Sequence, residues 1–411
     1  MPIPLLRTLL TLVPVLFPAA VVAAAPSDET LKTFDACVKR VKLSQPIRAL
    51  GVDWKELARE WRPRADAAEP GAELRGVLNE MLATVGASHT AVLERCLYDG
   101  MMRELSGKPT PTFGVLLEEM APGRLFVRAL YEEGPGERAG LVVGDEIVRV
   151  GGVRPRGSDS VIDAGYDPGG DARRLFTFRP AEAGARLDVT IRSGERDPVR
   201  AATLVAAETS GLESGERSVR VVERGGAKIG VVHLWMVARG SGRLVQEAIR
   251  GELADCDALG VDLRGRGGLS DEIDGILAPF RAAHGKRVAR GTPSWRRPGV
   301  FLTDDRTRSA KELIAWDVRH DRLGTLVGEA TEGSVLGAGF FALPGGDYLE
   351  LGMMEVPVAD GSSLEGVGVA PDVAVAHVGP FAHGVDPILE KGLALAASSV
   401  AAAKPVKRRP I

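Results

Sequence analysis

The sequence predicts a multidomain protein of the α/β plus β class, with a helical N-terminal region, a β-rich middle domain and an α/β core. Three observations predict this organisation. Apolar residues recur at intervals of three and four from residue 27 to 108, alternate every second residue from 112 to 209, and from 225 onwards fall in strands separated by helices. Strands that alternate with helices predict parallel pairing through crossover helices. A chain of 411 residues is long enough for two or three domains.

Composition excludes several classes of function. The chain is 45% hydrophobic and 26% charged, which is typical of a soluble globular protein. Its net charge of -3, with both signs mixed along the chain, offers no field for nucleic acid or an anionic membrane. No HExxH or CxxC motif occurs, and the histidines outside the candidate site lack metal-ligand spacing. We therefore expect no metal and no cofactor.

The first 25 residues have the pattern of a secretory signal peptide, with Arg7, an apolar stretch and a small-residue end. We expect cleavage within Ala23 to Ala25 and a protein exported to the periplasm or cell envelope. An uncleaved membrane anchor is the alternative, but two prolines interrupt the apolar run. No later segment of the sequence is long and apolar enough to cross a bilayer.

Three cysteines follow this segment. In an exported chain Cys37 and Cys96 can oxidise to a disulfide, which would leave Cys256 unpaired. Buried free thiols are the alternative, and the spacing favours neither.

The helical N-terminal region is expected over residues 26–108. The segments LKTFDACVKRVKL and LRGVLNEMLATV have helical periodicity, and RPRADAAEPG (62–71) between them is predicted to be a loop. The cluster SGKPTPT (106–112) predicts a domain boundary, so the middle domain is expected over 109–209.

The middle domain carries one specific segment, GPGERAGLVVGDEIVRVGGV (134–153). A short helix ending at Gly140 is followed by Leu141, a Gly144-Asp145 turn and a strand. This order resembles a PDZ domain of the bacterial protease type. The resemblance implies that a peptide adds as a strand and that its C-terminal carboxylate binds a loop containing Phe113, Gly114, Val115 and Leu116. An ordinary entry into a strand is the alternative for those four residues.

The α/β core is expected over 210–400, followed by a basic tail at 401–411. Within it, DLRGRGGLS (262–270) ends a buried strand in a glycine-rich turn whose N–H groups can bind an oxyanion. The turn lacks the GxxxxGK[ST] form of a phosphate-binding loop. Farther on, Ser309 and Glu312 in DDRTRSAKEL have the spacing of a helix capping box.

The order of these motifs resembles the tail-specific, or C-terminal processing, protease family. The series runs from the PDZ segment through GVVHLWM, DLRGRGG, SAKE and LVGEATEG to GVGVAPDVAV, and covers nearly the whole chain after residue 25. The resemblance implies a crotonase/Clp-like α/β protease core with Ser309 as nucleophile. It also implies an oxyanion site at Gly267 and Gly268, helped by the N–H of Ala310.

One departure concerns the general base. The commoner branch of the family has a Lys where this chain has Ser334, and a hydroxyl cannot act as a base near neutral pH. Either the protein is inactive, or its base lies elsewhere. A second branch, resembling the tricorn core protease, uses a His oriented by a Glu, and that resemblance implies His89 as base, Glu365 as its partner and Ser88 as a further orienting residue. Imidazole has a suitable pKa for this role, and a carboxylate on the second ring nitrogen fixes the tautomer.

The function expected from the resemblance is that of an exported serine endopeptidase that cleaves unstructured or C-terminal polypeptide segments, with the PDZ domain binding substrate C-termini or gating the cleft. The alternative is a catalytically inactive PDZ-containing protein that binds peptides. A crotonase-type acyl-CoA enzyme of similar core topology is opposed by the export signal and by the PDZ segment. The oligomeric state is left open.

Overall fold

The computed structural model describes residues 27–164, 175–179 and 181–403. The predicted signal peptide lies outside these residues, as do residues 404–411 of the predicted basic tail, while 401–403 end the last helix. None of the helices in the described ranges has both the length and the apolar character required to traverse a bilayer.

The N-terminal region consists of five helices and one short strand. They are α1 (Asp28–Val41), α2 (Gln45–Ala49), α3 (Trp54–Ala67), α4 (Ala72–Ala83), β1 (Ala91–Leu93) and α5 (Arg95–Leu105). Helix α1 begins where the Ser27 hydroxyl accepts the Thr30 N–H, and α3 begins at the Asp53 carboxylate in the same way. The apolar faces of α1 and α4 pack around Phe34 and Met81.

The predicted loop over 62–71 is wrong for its first six residues, because α3 continues to Ala67 through Pro63. A proline inside a helix costs about 3 kcal/mol locally. Packing offsets this cost, since Ala65 is fully buried and Arg62 forms ion pairs with Asp35 and Asp66. Tertiary contacts therefore override the local signal.

The middle domain is a seven-stranded antiparallel sheet with one short helix, entered and left through a strand pair. Its elements are β2 (Thr110–Thr112), β3 (Val115–Ala121), β4 (Arg124–Leu130), α6 (Pro135–Arg138), β5 (Glu146–Val150), β6 (Val161–Asp163), β7 (Leu175–Phe178), β8 (Arg186–Arg192), β9 (Arg200–Val205) and β10 (Ala207–Thr209). The strand order is β6-β7-β3-β4-β5-β8-β9. Strand β2 pairs with β10, so the chain enters and leaves the domain at one place.

The core is a six-stranded sheet covered on both faces by helices. Its helices and sheet strands are α7 (Gly211–Ser218), β11 (Arg220–Arg224), β12 (Ala227–His233), α8 (Ser241–Arg250), β13 (Ala258–Asp262), α9 (Ile273–Ala283), β14 (Gly299–Thr303), α10 (Ala310–His320), β15 (Thr325–Gly328), β18 (Val373–Ala374) and α11 (Pro387–Ala403). The strand order is β11-β12-β13-β14-β15-β18, parallel except for β11. Helices α8, α9 and α10 cover one face, and α11 covers the other. This is the predicted α/β layer architecture.

A further sheet joins the N-terminal region to the core. Strands β16 (Gly337–Ala342) and β17 (Tyr348–Met354) form a hairpin, and β1 pairs antiparallel with β17 in the register Val92↔Leu349. Ser44 also donates a hydrogen bond to the carbonyl of Gly352 at 2.5 Å. The segment just before β1, which contains His89, is thereby held against the core.

Candidate active site

Ser309 lies between β14 and the first turn of α10, in an unusual backbone conformation. Its φ of 55° and ψ of -125° place a residue with a side chain in a region that glycine favours. Such a conformation costs on the order of 1–3 kcal/mol and persists only where the surroundings hold it. The Ser309 N–H donates to the carbonyl of Ser334 at 2.9 Å and to Glu312 Oε2 at 3.0 Å. These bonds fix the backbone that presents the Ser309 side chain at the helix start.

Glu312 accepts hydrogen bonds beyond those of the predicted helix cap. Its carboxylate also accepts from the Thr331 hydroxyl at 2.6 Å and from the N–H groups of Gly333 and Ser334 at 2.6 and 2.7 Å. Burial raises the pKa of Glu312, and these hydrogen bonds oppose that rise. One buried carboxylate thus ties α10 to the segment that follows β15.

The glycine-rich turn after β13 lies directly against Ser309, the predicted nucleophile. A Cβ on Gly267 would stand 2.5 Å from Cβ of Ser309, a separation that real atoms do not reach. Gly268 has a φ of 145°, and a Cβ there would meet the carbonyl oxygen of Val237 at 2.2 Å. Only glycines permit this approach. Ala310, whose N–H was predicted to join the oxyanion site, is buried as the first residue of α10.

The side chain of Lys311 supports the glycine-rich turn, a role that the sequence did not predict. The side chain is fully buried, and its Nζ donates to the carbonyls of Trp235 at 3.1 Å and Arg264 at 2.8 Å. Burial lowers the pKa of Lys311 to about 7, opposed by the charges of Asp262 and Asp304. A lysine immediately after the helix start was the available signal, but nothing local distinguishes it from a solvated residue.

Ser88, His89 and Glu365 come together although the chain separates them widely. The Ser88 hydroxyl lies 3.0 Å from His89 Nδ1 and donates to Glu365 Oε2 at 2.9 Å. Glu365 also accepts the N–H of Ser88 through Oε1 and that of Val335 through Oε2, both at 2.9 Å. The Glu365 carboxylate therefore bonds the Ser88 hydroxyl, which in turn bonds the ring, instead of contacting the second ring nitrogen as expected.

This relay determines the tautomer of His89. An ionised carboxylate can only accept, so the Ser88 hydroxyl must donate its single proton to Glu365. The hydroxyl oxygen then accepts from His89, which places the ring proton on Nδ1 and leaves Nε2 with a lone pair. The tautomer is thus assigned from hydrogen-bond logic. His89 Nε2 is available to accept a proton.

The surroundings of His89 keep the ring neutral. Its side chain is buried, and burial lowers its pKa well below the ordinary value, with a further decrease from the charge of Arg308. Arg308 directly precedes Ser309, so this charge lies in the same part of the molecule. Burial also raises the pKa of Glu350, a carboxyl on β17 near Arg308 that the sequence reasoning did not single out.

Ser334 occupies the position of the missing lysine and has a structural part. Its carbonyl accepts the Ser309 N–H, and its hydroxyl donates to Glu332 Oε1 at 2.7 Å. It thereby fixes the nucleophile backbone, but a hydroxyl has no basicity to offer at neutral pH.

Residues 228–375, which hold most of these groups, match the family model described as Peptidase family S41. This part of the core matches an S41 domain. Residues 126–176 match the family model of a PDZ domain. The predicted family resemblance and fold class are therefore confirmed, whereas the roles of individual residues remain predictions.

Known proteins resemble this chain over most of its length. It is 27% identical over 373 residues to the putative tricorn protease homolog 2 of Streptomyces coelicolor, covering 84% of this chain but only 30% of that relative. The fold is similar to that of a photosystem II D1 C-terminal processing protease, with a TM-score of 0.52, 20% identity and coverage of 85% and 94% of the two chains. The tricorn protease is similar with a TM-score of 0.51 at 16% identity, over 91% of this chain and 37% of that one.

Through a buried guanidinium, the PDZ domain contacts residues 304–308 of the core, which are called the nucleophile loop after the predicted role of Ser309. Arg128 on β4 pairs with Glu118 at 2.5 Å, with Asp304 at 2.7 Å and with Asp305 at 2.8 Å. Asp304 Oδ1 in turn accepts the Gly265 N–H and the Thr307 hydroxyl, both at 3.0 Å. One network therefore connects the PDZ sheet with both the glycine turn and the nucleophile loop.

The predicted peptide-binding loop lies at the start of β3. Phe113 and Val115 are buried in the core of the PDZ domain, and a Cβ on Gly114 would meet Cβ of Tyr131 at 3.0 Å. Leu116 pairs with Ala129 of β4 and also with Thr177 of β7. The peptide-binding role of this loop remains a prediction, and a strand of the chain itself already lies beside it.

A cavity of about 930 Å³ separates the PDZ domain from the S41 domain. Leu116 and Tyr131 line it from one side, and Trp235, Gly265 and Arg266 from the other. It reaches Gly265 and Arg266 at the start of the glycine-rich turn, whereas Ser309 and His89 do not line it. Its volume is sufficient for several residues of an extended polypeptide.

Two further expectations concern cysteines and metals. All three cysteines are free, and burial raises the pKa of Cys37 to about 12 and that of Cys96 to about 11. Asp305, Glu329 and His377 bring possible ligand atoms within 4.8 Å of one another, a grouping that their spacing did not predict. Ion pairs account for this group, since His377 Nδ1 lies 2.8 Å from Glu329 and Asp305 pairs with Arg128.

Proposed function

We propose that this chain is a serine endopeptidase in which Ser309 attacks the substrate and His89 is the general base. The observation that carries the proposal is the Glu365–Ser88–His89 relay, because it places the ring proton on Nδ1 and leaves Nε2 as an acceptor. Burial and the charge of Arg308, the residue before Ser309, lower the pKa of this ring. The matches to the S41 and PDZ families support it. The chain spans about 30% of the length of its curated relative, so the activity rests on the site.

The mechanism follows from these positions. His89 Nε2 takes the Ser309 proton as Oγ bonds to the scissile carbonyl carbon, and the N–H groups at Gly267, Gly268 and Ala310 stabilise the developing oxyanion. The imidazolium, stabilised through Ser88 by Glu365, then protonates the leaving amine, which gives an acyl-enzyme. Water attacks the ester with the same base and releases the acid and free Ser309.

The substrate proposed is an unstructured or C-terminal segment of a polypeptide. An extended chain fits the cavity between the two domains, which opens beside Arg266 of the glycine turn. Of the two roles expected for the PDZ domain, gating of this cleft is favoured, because its sheet contacts the nucleophile loop through Arg128.

We propose export to the periplasm or cell envelope on the strength of the N-terminal 25 residues. Amino-terminal sequencing of the protein recovered from the producing cell checks this proposal. The mature chain should begin after one of Ala23 to Ala25, and a mature chain that retains Met1 would contradict it.

The activity is tested with a fluorophosphonate probe on the purified protein. We expect wild-type protein and a Ser398→Ala control to label equally, since Ser398 is an exposed residue of α11 that only bonds its own helix. Ser309→Ala should lose labelling by at least about 100-fold, because the probe reacts with an activated serine. Equal, weak labelling of wild type and Ser309→Ala would reject the enzyme.

A catalytically inactive peptide-binding protein is the second candidate, and Ser334 in place of the family's lysine favours it. It predicts that peptides bind although the probe labels neither protein. Loss of labelling in Ser309→Ala alone would exclude this candidate.

A further inference from the structure

The edge of β3 that a peptide would use in the PDZ domain is already paired. Strand β7 lies antiparallel to it in the register Leu116↔Thr177, Leu117↔Phe176 and Glu118↔Leu175. The opposite edge of β3 pairs with β4. A peptide that binds by strand addition needs free N–H and C=O groups along an edge. Over these residues of β3 the chain itself provides the second neighbour.

The β7 strand also occupies the positions of a ligand's side chains. Phe178 is buried and packs edge-on against Phe113 with ring centroids 5.9 Å apart, and Phe176 is buried in the same core. The Thr177 hydroxyl donates to the carbonyl of Val115 at 3.0 Å, so the contact extends into the predicted carboxylate-binding loop. Strand β7 thus pairs with the main chain of β3 and packs its phenylalanines into the core beside Phe113.

We propose that β6 and β7 form an internal ligand that closes the peptide groove of this PDZ domain. The domain then does not read the C-terminal carboxylate of a substrate. This inference deepens the proposed function, because it removes one of the two roles considered for the domain and makes internal and terminal segments equally acceptable substrates.

The internal ligand also contacts the glycine-rich turn that follows β13. The carbonyl of Ala164, directly after β6, accepts a hydrogen bond from Arg266, which precedes Gly267. On the other side Arg179, directly after β7, forms an ion pair with Glu94 at the start of α5. The strands that fill the groove are therefore fastened to the turn and to the N-terminal region, as expected for a fixed part and not for an exchangeable one.

Binding is tested on the full chain carrying Ser309→Ala, which prevents cleavage. The probe is a fluorescein-labelled peptide with an apolar last residue and a free carboxylate, compared with its C-terminal amide by fluorescence anisotropy. We expect neither to saturate below about 1 mM. Binding of the free acid at least tenfold tighter than the amide would overturn the proposal.

A variant that releases β7 from β3 should open the groove and bind the peptide. Thr177→Pro on the Ser309→Ala background removes a strand N–H and should tighten binding of the free acid at least tenfold. Thr177→Val is the matched control, since it keeps the strand and should bind as weakly as the parent. If circular dichroism shows that Thr177→Pro does not fold, the comparison of acid and amide on the intact groove still decides.

Cleavage by the wild-type protein separates this inference from the proposed function. A peptide and its C-terminal amide should be cleaved with kcat/KM values within about twofold, because no group reads the carboxylate. A tenfold preference for the free acid would contradict the closed groove. Cleavage of neither peptide would contradict the proposed activity, and the binding comparison would still decide whether the groove is closed.

Discussion

At the scale of single residues, the assignment of the base depends on one hydroxyl. The Ser88 hydroxyl lies between His89 and Glu365. Because it donates its proton to the carboxylate, its oxygen must accept from the ring, and this defines the tautomer of His89. The sequence placed these three residues in one site through family resemblance. It did not predict their order, because the order depends on where the Ser88 side chain points.

The pH dependence of activity follows from the burial of His89. Since burial and the charge of Arg308 lower the pKa of the ring, neutral imidazole persists below the ordinary value of about 6.5. We expect the acidic limb of kcat/KM to lie below pH ~6.5, as measured by a pH profile between about pH 4.5 and 8. The free energy of unfolding should also decrease as the pH falls below about 6.5, because His89 binds a proton in the unfolded state while the buried ring stays neutral in the folded state.

Two arginine variants test the cause of this shift. Arg308→Gln removes the neighbouring charge and should move the acidic limb toward higher pH. Arg319→Gln, an exposed residue farther along α10 that bonds only the carbonyl of Ala370, should leave the limb in place. An acidic limb above pH ~6.5 in the wild-type protein would show that the titrating base is not His89.

At the scale of secondary structure, α10 and the glycine turn act as one element. Lys311 holds the turn to the helix through two carbonyls, and Glu312 holds the helix to the segment after β15. The capping spacing was visible in the sequence. That both side chains are buried was not, because burial here comes from strands distant in the chain.

Replacing Glu312 tests this arrangement. Glu312→Gln substitutes an amide nitrogen for one acceptor oxygen and leaves buried N–H groups without a partner, at about 1–3 kcal/mol for each group. We expect a loss of about 2–4 kcal/mol in the free energy of unfolding and a lower kcat. Urea denaturation and steady-state kinetics measure the two effects.

Glu390→Gln on α11 is the matched control. Glu390 pairs with Arg224 at the surface, where an ion pair contributes about 0–1 kcal/mol. If the two glutamine variants lose similar stability, the buried network around Glu312 does not hold the helix start.

At the scale of the whole molecule, the nucleophile loop belongs to two domains. The side chain of Arg128, only 4% exposed, faces three carboxylates, of which Asp304 and Asp305 lie in the loop before Ser309. Burial by itself would raise the pKa of Asp304, but Arg128 and the Gly265 N–H outweigh it and hold the pKa at about 2. The PDZ domain is thus a structural partner of the loop that precedes Ser309.

Removing this guanidinium should weaken the whole assembly. Arg128→Met leaves buried carboxylates without their cation, so we expect a loss of about 3–5 kcal/mol at pH 7, together with loss of probe labelling. The loss should diminish toward pH ~3, because the carboxylates in the variant can then be protonated. Urea denaturation at the two pH values measures it.

Arg124→Met on the same strand is the control for this prediction. Arg124 is partly exposed and pairs with Glu146 and Glu195, and Arg192 remains 3.7 Å from the buried Glu146 carboxylate in the variant, so we expect a change of about 0–1 kcal/mol. Equal losses in the two arginine variants would mean that the contact between the domains adds nothing to stability.

The sequence by itself determined the fold class, the order of its three parts and the helix that presents Ser309. These features follow from local periodicity, turn residues and motif order, all of which act between near neighbours in the chain. Some local signals were nevertheless overridden or overlooked: Pro63 lies inside a helix, and the β16–β17 hairpin was not predicted although it joins the N-terminal region to the core.

Only the tertiary structure decided the relay to His89, the burial of Lys311 and Arg128, and the strand that fills the PDZ groove. Ser88 and Glu365 are 277 positions apart, and Arg128 and Asp304 are 176 apart. No local pattern encodes such pairs, because their geometry depends on how strands such as β1 and β17 meet. The packing of the domains therefore decides which proton donors and charged groups face one another.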